Sequence, residues 1–141
     1  MQISETNQQL RVDRRDTVEQ MLHYAEYLAP SDHALLRAVY DRGLSVTEFA
    51  RAAGCSPQFA QGRLRRLINR INSDAFQFTI RNMRHWPARR RDVANATILH
   101  GRSMRDAAKT LGISVHQVRQ QLQDIRVLSR NAAESGSANH A

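Results

Sequence analysis

The sequence predicts an all-α chain, built as two tandem three-helix units with an extra N-terminal helix. Three observations carry that prediction. Apolar residues recur at three- and four-residue steps along most of the chain, the spacing of one helix face. A glycine followed two residues later by serine recurs as a helix stop and start, at Gly43/Ser45, Gly54/Ser56, Gly101/Ser103 and Gly112/Ser114. The second pair of stops repeats the first at a constant offset of 58 residues, which also sets Ala50 on Ala108, Leu64 on Leu122, Leu35 on Val93 and Tyr40 on Ile98.

Taken in order, residues 1–12 are polar and are predicted to form a flexible N-terminus. Val18, Met21, Leu22, Ala25 and Leu28 mark an amphipathic helix over 13–28. Ala29-Pro-Ser31 stops it, and Ser31 is predicted to cap a second helix carrying Leu35, Leu36, Val39 and Tyr40. Ser45 and Glu48 have capping-box spacing for a short third helix that closes at Gly54. Ser56-Pro57 starts a fourth, with Ala60, Leu64, Leu67, Ile68 and Ile71 on one side, because proline in the first helical position loses no hydrogen bond. Residues 13–72 thus form a first unit.

Residues 73–86 are read as a connector. Ala75-Phe-Gln-Phe-Thr-Ile80 alternates weakly like a strand, and Phe76, Phe78 and Trp86 are its candidate buried aromatics. The second unit spans 87–128. Pro87 opens a helix with Val93, Ala94, Thr97 and Ile98 inward, Ser103 with Asp106 caps the next, and Ser114 with Gln117 caps the last. Residues 129–141 carry no apolar period and are predicted to be a disordered tail.

In each unit the small Ala50 or Ala108 permits close helix crossing, and Gly54 or Gly112 supplies a positive φ for a short turn. Cys55 or Ile113 should then point into the core, and a buried inert thiol is expected of Cys55. This is the logic of a helix-turn-helix. The exposed face it predicts for the first unit is Ser56, Gln58, Phe59, Gln61, Gly62 and Arg65, with Phe59 expected to be a core or inter-unit contact instead. For the second it is Ser114, Val115, His116, Gln117, Arg119, Gln120 and Gln123. Gln and Arg bond base edges in bidentate fashion, and a capped helix start suits a phosphate.

Charge points the same way. Residues 1–50 hold five Arg against eight acids, net −3, whereas residues 51–141 hold sixteen cations against five acids, net +11. Twenty of the 21 cations are Arg, whose planar fork matches phosphate oxygens and the guanine edge. A basic body of this kind suits a polyanion, nucleic acid above all.

An enzyme is not expected. The six His are scattered at 23, 33, 85, 100, 116 and 140 without a Cys or carboxylate at ligand spacing, and no P-loop, nucleophile elbow or carboxylate pair is recognisable. No metal site or cofactor is therefore expected. No run approaches the ~18 apolar residues of a membrane span, and the N-terminus lacks an apolar signal region, so a cytoplasmic location is the expectation.

Ala29-Pro-Ser-Asp-His-Ala-Leu-Leu-Arg-Ala-Val-Tyr-Asp-Arg-Gly-Leu-Ser-Val-Thr-Glu-Phe-Ala, with Ala60-Gln-Gly-Arg-Leu-Arg-Arg-Leu, resembles the C-terminal promoter-binding domain of bacterial sigma factors, especially the extracytoplasmic-function group. Ala107-Ala108, Leu111-Gly-Ile-Ser and Val118-Arg-Gln are similar too, so the likeness covers residues 29–71 and 87–128. It implies a last helix that reads the −35 promoter element and a surface that contacts RNA polymerase. By position it adds Arg63 and Arg66 as phosphate contacts. The chain has no counterpart of the aromatic-rich sigma domain that melts the −10 element, and a doubled −35-reading domain is not the usual sigma arrangement. A sigma-like, sequence-specific regulator of transcription binding double-stranded DNA is thus the leading expectation. The alternative is an adaptor contacting RNA polymerase or a sigma factor. A homodimer through residues 13–28 is a further possibility for its partners.

Overall fold

The computed structural model describes residues 17–138, and every regular element among them is helical. In chain order these are α1 (17–24), α2 (Pro30–Tyr40), α3 (Val46–Ala53), α4 (Pro57–Ile71), α5 (Asp74–Asn82), α6 (Ala88–Ala94), α7 (Met104–Leu111) and α8 (Val115–Ala138). The chain divides into two compact units between Leu67 and Ile68, inside α4. Among the described residues no helix is long and apolar enough to cross a membrane.

In the first unit α1 buries Met21 and leads into a tight turn over Ala25–Tyr27, where Ala25 and then Leu28 are buried. His33 ties the turn to α2, its Nδ1 lying 2.9 Å from the Ala25 carbonyl. α2 starts at Pro30, one residue before the expected cap Ser31, and its N-cap residue Ala29 has no side-chain bond. Proline's fixed φ and missing N–H make it the better first residue, so Ser31 is left exposed. Ser45 caps α3 by accepting the Glu48 amide at 3.1 Å, and its hydroxyl donates to Glu48 Oε1 at 3.2 Å.

The second unit begins earlier than the sequence suggests. Residues 74–82, expected within a connector, form the helix α5, and Ser73 caps it by accepting the Phe76 amide at 3.2 Å. Phe76 and Thr79 are fully buried, and Phe78 meets Trp86 with ring centroids 5.9 Å apart. The weak strand-like alternation is overridden because the buried positions 76 and 79 are one helical step apart. α6 widens over Asn95–Leu99, and the His100 amide bonds the Asn95 carbonyl at 2.9 Å. Val93, Ala96, Ala107, Ala108 and Val118 then form a buried cluster, with Leu111, Ile113, Val115 and Leu122 packed on it. The alanines of α7 leave room for close approach to α8.

α8 continues to Ala138, past the expected end near Leu128. Residues 130–136 are exposed, so backbone hydrogen bonding and good helix formers such as Ala132, Ala133 and Glu134 carry it on without apolar burial. The expected flexible residues 1–12 and the last three residues of the expected tail lie outside the described residues.

The 58-residue offset extends to the boundaries of the elements. Pro30, Val46 and Pro57 begin α2, α3 and α4, and Ala88, Met104 and Val115 begin α6, α7 and α8. The turn over Ala25–Tyr27 recurs over Met83–His85, which makes α5 the counterpart of α1. Individual bonds repeat as well. Leu44 N–H reaches the Ala38 carbonyl and Arg102 N–H that of Ala96; Cys55 N–H reaches Ala50 and Ile113 N–H reaches Ala108.

The Thr79 hydroxyl is buried with no hydrogen-bond partner among the described residues. Thr79→Val should therefore raise the stability of the full chain by about 1 kcal/mol in urea unfolding, since it removes an unsatisfied polar group at nearly constant shape. Phe76→Ala should cost about 3–5 kcal/mol, the range for emptying a buried aromatic site, whereas an exposed linker residue would cost little.

Candidate nucleic-acid interface

Each helix expected to read a partner starts at a turn closed by a left-handed glycine. Gly54 has φ +74° and Gly112 φ +68°, values that side-chain-bearing residues rarely adopt. Two residues later a serine caps the next helix. Ser56 Oγ accepts the Phe59 amide at 3.1 Å. Ser114 Oγ accepts the Gln117 amide at 3.0 Å while Gln117 Oε1 accepts the Ser114 amide at 2.9 Å, a complete reciprocal box.

The apolar sides of the two helices are buried, at Ala60 and Leu67 in α4 and at Val118 and Ile125 in α8. Their opposite sides are therefore polar and open. Ser56, which caps α4, and Gln58, Gln61, Arg65 and Arg66 within it are exposed; so are Ser114, which caps α8, and His116, Arg119, Gln120 and Gln123 within it. Both sets come together on their own helices as the pattern implied.

Six residues depart from expectation, the first being Gly62, which is half-buried where it was expected to be exposed. Val115 packs on the core cluster of the second unit. Gln117 is half-buried and its carbonyl oxygen is committed to the cap. Phe59, expected to be covered, is 57% exposed. Arg63, carried over as a phosphate contact, bonds Asp32 instead, with Nη2 at 3.0 Å and Nε at 3.2 Å from Oδ1. Cys55 is only half-buried in its turn.

The Asp32–Arg63 pair ties the first turn of α2 to the middle of α4, and the side chains are 12% and 30% exposed. At the same places in the second unit stand Arg90 and Gln121. Arg90 Nε donates to Gln121 Oε1 at 3.3 Å, and its Nη2 lies 3.5 Å from Asp124 Oδ2. The tie keeps its position while its charges exchange helices. Sequence reasoning missed it because the partners are 31 residues apart in both units. A signal was present: Asp32 falls in helical step with Leu35 and Leu36, on the inner side of α2.

Unit charge is uneven. Residues 1–67 carry nine cations against eight acids, net +1, and residues 68–141 carry twelve against five, net +7. Arg126 and Arg130 extend the exposed cations along α8 beyond Gln123. They also line a groove of about 470 Å³ whose floor includes Ile98, Leu122 and Ile125. Among the described residues no group of three His, Cys, Asp or Glu side chains is placed to hold a metal ion. Compared with known protein families, curated proteins and solved structures, the chain gives no match.

Arg63→Ala should cost about 1–3 kcal/mol in urea unfolding, because it strips two donors from a mostly buried carboxylate, with solvent screening pulling the value toward the lower end. Arg66→Ala, at an exposed position one turn away, should stay within about 0.5 kcal/mol of the parent chain.

Proposed function

We propose that this chain is a sequence-specific, double-stranded DNA-binding regulator of transcription, sigma-region-like, whose two helix-turn-helix units offer α4 and α8 to the major groove. One observation carries the reading: a glycine turn and serine cap set out a helix with an amide- and guanidinium-bearing outer side, twice, at the same offset. Arg119 and Gln120, with Gln58 and Gln61 in the first unit, have the donor and acceptor sets that base edges need. Ser56 and Ser114 stand at helix starts, where backbone amides favour a phosphate. The +7 charge of the second unit supports the same partner.

Arg66 serves as a phosphate contact in this reading, and Arg63 acts indirectly by holding α4 in place. Contact with RNA polymerase, implied by the sigma likeness, belongs to a separate surface. The exposed acids Glu19, Glu26, Asp41 and Glu48 of the first unit favour it as a cationic protein's landing place.

Selection of bound duplexes from a random pool should return an enriched motif, and two spaced motifs if both units read. Affinity for that duplex should fall with salt at a slope of about −0.9 per phosphate neutralised in log K against log[salt]. Arg119→Ala should lose about 1–3 kcal/mol of discrimination at one base pair. Binding that ignores salt, or the absence of any duplex binding at low salt, contradicts the proposal.

A further inference from the structure

Phe59 is the most exposed large apolar side chain among the described residues. Its backbone is fixed, since its amide donates to Ser56 Oγ at the start of α4, while its ring faces solvent. Gly62 and Arg66 follow at three- and four-residue steps and share its strip of the helix. Arg66 Nη1 lies only 3.4 Å from where a Cβ on Gly62 would stand, so the guanidinium folds back over the bare backbone. The strip thus presents a ring followed by a cation lying over the Gly62 main chain, flanked by Gln58 and Gln61.

The counterparts in α8 are Gln117, Gln120 and Asp124. Gln117 closes its own cap, and Asp124 is bridged to Arg90. The second unit therefore offers no apolar group at the corresponding place. Only one base edge in the major groove carries an apolar group, the C5-methyl of thymine, and residues in the first turn of a recognition helix are those that reach base edges.

We propose that Phe59 packs on thymine C5-methyl groups, so that the first unit selects thymine where the second reads hydrogen-bonding edges. The inference rests on the duplex-binding function proposed above. It implies that the two units do not read the same bases, and that the bound site is not a simple direct repeat.

The test uses the full chain and a duplex selected from a random pool, with each thymine replaced in turn by uracil. That change removes the methyl and leaves base pairing intact. For the parent chain, one or two replacements should weaken binding by about fourfold, the factor that burying one methyl-sized group is worth. For Phe59→Ala the same replacements should have no effect, while its unfolding curve and the salt slope of its binding stay those of the parent. A duplex bound by both proteins in which no replacement distinguishes them overturns the role of Phe59 and leaves duplex binding standing. Failure to select any duplex overturns the DNA-binding reading, and this inference with it.

Discussion

The structure depends on a turn in which a left-handed glycine ends one helix and a serine two residues later begins the next. The glycine lets the chain reverse where a side chain would cost about 1–2 kcal/mol. The amide after it closes back on the preceding helix, from Cys55 to Ala50 and from Ile113 to Ala108. The serine then satisfies an amide that the new helix would otherwise leave unbonded. Together these bonds fix where α4 and α8 begin, and hence which residues of each fall on the outer side. The same device at Gly43 and Gly101 sets the start of α3 and α7, with φ +70° and +73°. Two such turns per unit leave little freedom in how its last three helices follow one another.

Rotation of the last helix about its own axis is a separate requirement, and the polar ties meet it. In the first unit an acid on α2 holds an arginine on α4; in the second an arginine on α6 holds an amide and an acid on α8. Each tie joins the first turn of one helix to the second or third turn of another, so it resists rolling of the polar side toward the core. Burying part of a charged pair adds little net stability, but breaking it leaves an uncompensated group. The exchange of charge types between the units preserves this restraint without preserving the residues.

Much of this was legible in the sequence because it is local. The glycine stops, the serine caps and the apolar steps of α3, α4, α7 and the first turns of α8 each depend on residues within about a turn of one another. α5 was hidden because its buried side carries Thr79, a polar residue where the pattern calls for an apolar one. Phe78, on a different side, gave the segment a false alternation. The end of α8 was hidden for the opposite reason: residues 130–136 stay helical while remaining exposed, so no apolar period marks them. At the candidate interface, the outward residues followed from spacing. The loss of Arg63 to Asp32 did not, since it depends on a partner 31 residues away in sequence. Phe59 was misjudged on hydrophobicity alone; its place on α4 decides its exposure.

On the function proposed, the outer sides of α4 and α8 are the surface that meets duplex DNA. Amide chemical-shift changes in the ¹⁵N-labelled full chain, followed while a selected duplex is added at low salt, test it most directly. Changes concentrated in residues 56–66 and 114–123 are the expected result. A bound complex whose changes fall instead on α1, α2 or the far end of α8, with those two stretches unmoved, contradicts it.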